Sequence, residues 1–212
     1  MSAPLISVVV LAAGQSTRME GAFKLTLDVA GEPLVRRTVQ AVLGIRPVET
    51  IIVTGFEADD VKAALGGLDV CFVHNADYAL GQPGSVAAGV RALRDYCHAV
   101  MIVPGDQALL TGANVQALIT AYAECDRAIL VPYHHGQRGN PIIFAAHFIP
   151  LVASGGINVG CRYLIDTHGA DVAQVEFATD AFIADCDTPA DYQALVARLT
   201  ACHAEGLARA AD

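Results

Sequence analysis

Short, β-branched apolar runs recur along this chain, and a segment with helical spacing follows most of them. The first is Ile6-Ser7-Val8-Val9-Val10-Leu11. A run this short and with so little polar alternation predicts a strand covered on both faces, as in a parallel sheet. Leu34, Val35, Thr38, Val39 and Val42 then recur at helical spacing, with Gly44 placed to end that helix. The pattern repeats as a strand over 50–54, a helix over 59–65, a strand over 70–73, a helix over 85–96, a strand over 99–103, a helix over 111–124 and a strand over 128–131. Such alternation implies βαβ units. It breaks after residue 131. Pro141-Ile142-Ile143-Phe144 reads as an antiparallel strand, one or two helices follow, then the segments 171–177 and 181–184, and a closing helix over 190–209. The expected fold is α/β, a Rossmann-like and mostly parallel sheet with helices on both faces. It is read as one domain over 1–212, less regular at about 132–180.

Hydrophobic residues make up 54% of the chain, enough to fill such a core. The formal charge of −9, from 13 basic and 22 acidic residues, argues against a nucleic-acid binder, which needs an excess of Lys and Arg. No apolar run reaches the roughly 20 residues of a spanning helix, so no membrane partner is expected. Leu5 to Ala13 lacks the basic flank of a signal peptide. The cysteines at 71, 97, 125, 161, 186 and 202 form no CxxC pair. They read as reduced, buried thiols of a cytoplasmic protein.

Ligands of open parallel sheets lie outside the carboxyl ends of the strands. Four such places carry polar or glycine-rich residues. Leu11-Ala12-Ala13-Gly14-Gln15-Ser16-Thr17-Arg18-Met19 follows the first strand. Its small residues let backbone N–H groups approach an anion, and Arg18 and Lys24 add positive charge suited to a triphosphate. It is neither the dinucleotide fingerprint nor a P-loop, which argues against a dinucleotide-dependent oxidoreductase. Asp106, in Val103-Pro104-Gly105-Asp106-Gln107, is a carboxylate suited to hold Mg²⁺ against phosphates or to cap a helix. Gly81-Gln82-Pro83-Gly84-Ser85 precedes a helix, with Ser85 read as its N-cap. Asp185-Cys186-Asp187-Thr188-Pro189-Ala190-Asp191 is a helix start, with Thr188 as N-cap, Pro189 at N1 and Asp191 at N3. Capping leaves the two preceding acids unexplained. His134-His135 reads as an exposed loop pair rather than a metal site.

Leu11-Ala12-Ala13-Gly14-x-Ser16-x-Arg18-Met19, with Lys24-Leu25, Gly31 and Pro33-Leu34, resembles the signature of the MobA-like nucleotidyltransferases, the molybdenum cofactor cytidylyl- and guanylyltransferases. The resemblance runs from about residue 5 to 195 and implies roles residue by residue. Arg18 and Lys24 would contact the phosphates of an NTP. Leu11, Ala12, Ala13, Gly14, Ser16, Asn75, Gly81, Gly84 and Ser85 would surround the nucleotide. Asp106 would bind the metal with Asp187 as second ligand, or Asp185 in its place. Gly139, Asn140 and Pro141, in Arg138-Gly139-Asn140-Pro141-Ile142-Ile143-Phe144, would face the acceptor. The chain departs from the family at Glu20, where glycine is usual, at Asn140, where histidine is usual, and at Gly155 to Arg162, where an acid is missing and Asn158 stands nearby. The implied reaction is Mg²⁺-dependent. It joins the nucleoside monophosphate of CTP to a phosphorylated acceptor, molybdopterin, with release of pyrophosphate and transient contact with a molybdoenzyme or its chaperone. The Ala12-Ala13-Gly14 form resembles the cytidylyl branch. Two alternatives stay open: another cytidylyltransferase, such as one for methylerythritol phosphate, or a pterin-cofactor binding protein without catalysis.

Overall fold

The computed structural model describes residues 3–155 and 160–210, with side chains as far as residue 201. The apolar runs form the strands β1 (Ile6–Ala12), β4 (Thr50–Thr54), β5 (Cys71–His74), β6 (Ala99–Pro104), β7 (Ile129–His134), β9 (Ile142–Ala145) and β10 (Val172–Glu176). Three two-residue strands accompany them. β2 (Asp28–Val29) and β3 (Glu32–Pro33) form a hairpin of their own, and β8 (Gln137–Arg138) pairs with β7. The helices are α1 (Leu34–Leu43), α2 (Ala58–Ala64), α3 (Gln82–Arg91), α4 (Gly112–Glu124), α5 (Ile149–Ser154), α6 (Cys161–Thr167) and α7 (Pro189–Ala210). The segment 181–184 is no regular strand or long helix. Its chain passes through a short 3-10 turn, Asp180–Phe182.

The main sheet runs β10-β7-β9-β6-β1-β4-β5. β1, β4, β5 and β6 are mutually parallel, β10 is parallel to β7, and β9 is antiparallel to both its neighbours. β1 is buried on both faces, and successive residues feed opposite sides. Val8, Val10 and Ala12 pack with α1, α4 and α7, whereas Val9 and Ala13 pack with α3 and α5. This is the expected mostly parallel α/β sheet.

Local chemistry accounts for several boundaries. α4 opens with a capping box between Thr111 and Asn114. α3 stops at Arg91, short of the expected 96, and the Glu49 carboxylate accepts the N–H groups of Arg94 and Asp95. Among the described thiols none forms a disulfide, and Cys97 and Cys186 are buried as expected. Cys71 corrects that expectation. It lies on β5, an edge strand with one side open, and is exposed. The histidine pair is not wholly an exposed loop: His134 ends β7 half-buried, and its ring sits 4.2 Å from that of exposed His135, whose backbone turns into the left-handed region (φ 49°).

Candidate active site

The chain winds from β1 to β4 and β5 on one side, then returns to β6 on the other. β1 and β6 therefore mark the switch point, and the crevice outside their carboxyl ends is where a ligand is expected. The loops leaving them cross closely: Gly105 donates its N–H to the Leu11 carbonyl at 2.9 Å. A Cβ on Gly105 would lie 2.9 Å from that same oxygen, so glycine is what permits the crossing.

A cleft of about 340 Å³ opens here. Of the predicted residues, Leu11, Ala13, Gly14, Lys24, Gly81, Ser85 and Asp106 line it. Gln15, Tyr78, Ala79 and Gln82 also line it, and sequence reasoning had given them no role. α3 aims its first turn at this cleft. It starts at Gln82, after Gly81 at φ 118°, a conformation open to glycine. Ser85 is thus inside the first turn, 4% exposed, and is not the N-cap.

Other predicted nucleotide contacts stand behind the cleft rather than in it. Ala12 is fully buried on the opposite face of β1, since strand side chains alternate. Asn75 is buried, and its Nδ2 donates to Ser85 Oγ at 3.0 Å. Gly84 sits against that same amide. Ser16 holds the loop: its Oγ accepts the N–H of Lys24 at 3.2 Å.

β10 ends at the carboxyl edge, where Glu176 pairs with Tyr133. The chain that follows runs along that edge and delivers Asp187 to the residues after β1 and β6. Lys24 Nζ lies 2.5 Å from Asp106 Oδ2 and 2.9 Å from Asp187 Oδ1. Arg18 is more exposed and holds Asp187 Oδ2 at 2.8 Å. Burial opposes charge on Lys24, yet Asp106 first and then Asp187 outweigh it, and the ammonium is held above the ordinary lysine value. Cys186 is buried, whereas Asp185 on its other side faces outward and lines a smaller cavity with Leu109 and Leu195. Thr188 and Asp191 form the expected cap of α7, with Asp191 Oδ2 accepting the Thr188 N–H at 2.8 Å.

Among the described residues no three His, Cys, Asp or Glu side chains gather to cage a metal. Two carboxylates converge on one cation instead. Such a donor set suits a hard dication that keeps its waters and takes phosphate oxygens as further ligands.

A second cleft of about 460 Å³ adjoins the first and shares Gln82 and Pro104 with it. Its position follows from β9. Because this strand is antiparallel and Ile142 pairs with Ile102, the turn before it lies at the carboxyl edge of β6. Gly139 and Asn140 line this cleft with Arg138 and Arg162, whereas Pro141 is buried beneath it. Gly156 and Asn158 lie outside the described residues.

The model of the MobA-like NTP transferase domain matches residues 8–172. The chain belongs to this family. A MobA-like domain is a nucleotidyltransferase, and the crevice at its switch point is where that chemistry is expected. The bifunctional protein GlmU of Alcanivorax borkumensis is 30% identical over 126 residues, covering 59% of this chain and 27% of that protein. The chain thus spans about a quarter of the length of that curated relative. The fold is shared with a nucleotidyl transferase from Methanothermobacter thermautotroptrophicus (TM-score 0.79, 24% identity, 93% of this chain and 99% of that one). It is also shared with Rv0371c of Mycobacterium tuberculosis, solved in complex with manganese (TM-score 0.68, 22% identity, 91% and 98%). No helix among the described residues is long and apolar enough to cross a membrane.

Proposed function

We propose that this MobA-like domain is a cytoplasmic cytidylyltransferase that uses CTP and Mg²⁺ and joins CMP to molybdopterin. The observation that carries the reading is the half-buried Lys24 held between Asp106 and Asp187 at the lip of the first cleft. Ala13, Gly14 and the first turn of α3 line the same cleft, and a helix N-terminus favours an anion.

Asp106 and Asp187 fit a divalent cation and would hold Mg²⁺. When bound, it would neutralise phosphate charge. Lys24 and Arg18 bind and orient the triphosphate. The acceptor phosphate oxygen is already ionised, so no strong general base is needed. That oxygen bonds to the α-phosphorus, the bond from the α-phosphorus to the bridging oxygen breaks, and pyrophosphate leaves with the electron pair. Catalysis is alignment plus charge neutralisation. Arg138 and Arg162 in the second cleft suit a phosphorylated acceptor, and Ile102 and Ile142 offer it apolar wall.

Release of pyrophosphate on mixing the protein with CTP, Mg²⁺ and molybdopterin tests the reading; binding without release would make it a carrier of the cofactor. The base is tested by thermal shift with CTP, GTP, ATP and UTP, where a ligand at a hundredfold excess over Kd stabilises by about 2.7 kcal/mol. The Ala13 methyl narrows the first cleft, so CTP is expected to win over GTP by roughly 5–30-fold, or about 1–2 kcal/mol. Equal affinities would overturn the cytidylyl assignment and leave the transferase standing.

A further inference from the structure

Gln107 follows Asp106 directly and is fully buried. A primary amide out of water needs partners, because each unmet polar group is costly. Its Nε2 donates to the Asn140 carbonyl at 3.2 Å and to the Phe182 carbonyl at 3.3 Å. Two carbonyl acceptors facing one end of the amide identify that end as nitrogen. The Phe182 carbonyl also accepts the backbone N–H of Asn140 at 2.8 Å. Three segments far apart in sequence therefore meet at one side chain. They are the loop carrying Asp106, the turn that opens β9 beside the second cleft, and the 3-10 turn that leads to Asp187.

Packing alone does not account for a glutamine here. Its Oε1 is buried with no hydrogen-bond partner among the described residues. An apolar side chain of similar length would fill the space without that penalty. What glutamine adds is the pair of N–H groups. Gln107 lines neither cleft, so it touches neither substrate.

We infer that Gln107 is a positioning residue for nucleotidyl transfer, whose amide clamps the acceptor turn and the Asp187 segment to the Asp106 loop and so fixes the spacing of the two clefts. The inference rests on the transferase reading above. In-line attack depends on that spacing, and a misplacement of about 1 Å can cost roughly a hundredfold in rate. Nucleotide affinity in the absence of metal does not depend on it, because Asn75 holds Ser85 in the first turn of α3 and Ser16 holds the loop after β1.

The test is Gln107→Met, which keeps the length and removes the donors. With CTP, Mg²⁺ and molybdopterin, kcat is expected to fall at least about tenfold and the KM for molybdopterin to rise, while the thermal shift induced by CTP without Mg²⁺ stays unchanged. Hydrogen exchange provides a readout independent of turnover: the 138–145 and 180–187 segments should exchange faster, with the 13–16 loop and α3 unaffected. Should the Met variant not fold, Gln107→Asn, an amide one methylene short of both carbonyls, should give the same split in weaker form. Unchanged exchange in these two segments, or a loss confined to CTP affinity, overturns the clamp. A wild-type protein that releases no pyrophosphate overturns the transferase reading instead, and hydrogen exchange then still decides the clamp.

Discussion

Lys24 is neutralised within the protein before any ligand arrives. The cations suited to a triphosphate, Lys24 and Arg18, are paired with the carboxylates suited to a metal. Binding of metal and nucleotide must exchange these partners together, so each should strengthen the other, and by linkage the strengthening is reciprocal. Calorimetry with Mg²⁺ alone, CTP alone and both should show weak, weak and tight binding. Asp106→Asn should abolish that coupling and most metal-dependent turnover, since an amide is a poor ligand for a hard dication; turnover within about twofold of wild type would remove Asp106 from the site. Glu20 makes a separate case. It replaces the family's usual glycine and adopts φ 52° itself, with Gly21 after it at φ 94°. Left-handed backbone costs a side chain about 1–2 kcal/mol, partly offset by the freedom glycine loses on folding. Glu20→Gly should therefore leave stability unchanged or raise it by up to about 1 kcal/mol in urea denaturation.

Elements are joined at the site's edge by polar contacts that charge reversal or acid would undo. Arg198 on α7 grips Asp180 of the 3-10 turn with two bonds, at 2.6 and 2.7 Å, and they hold the carboxyl below its ordinary value. A lowered carboxyl contributes stability above its unfolded value of about 3.8, and the contribution is lost as pH falls through the lowered folded value. Asp180→Asn should lower the melting temperature at pH 7 by an amount worth a fraction of a kcal/mol, as for other exposed pairs. The two melting curves should converge in strong acid; a constant gap would show that the pair acts by packing rather than charge. Most of the helices were legible in the sequence, because apolar spacing and caps such as Thr188 are local. The start of α3 was misplaced at Ser85, since Gly81 supplies the turn by backbone conformation and leaves no side-chain capping signal.

At the scale of the whole molecule, the winding order places two clefts side by side with Gln82 and Pro104 between them. Separate clefts predict separable substrates. Arg138→Ala should raise the KM for molybdopterin while leaving the CTP-induced thermal shift unchanged; loss of CTP binding would mean the two clefts act as one pocket. The sequence by itself determined the longer strands, most helices and the residue types of the site, because burial periodicity, caps and the Leu11 to Met19 motif are properties of neighbours along the chain. It determined that Asp106, Asp187 and Lys24 were candidates. Only the tertiary structure decided which candidates meet. Asp187 rather than Asp185 reaches Lys24, Ala13 rather than Ala12 faces the cleft, and Arg138 and Arg162 share a wall with Asn140. The physical reason is that these choices depend on strand order, on the antiparallel run of β9 and on the alternation of side chains across a sheet. Those features bring residue 24 against residues 106 and 187, and are set by how the buried faces pack together rather than by any one segment.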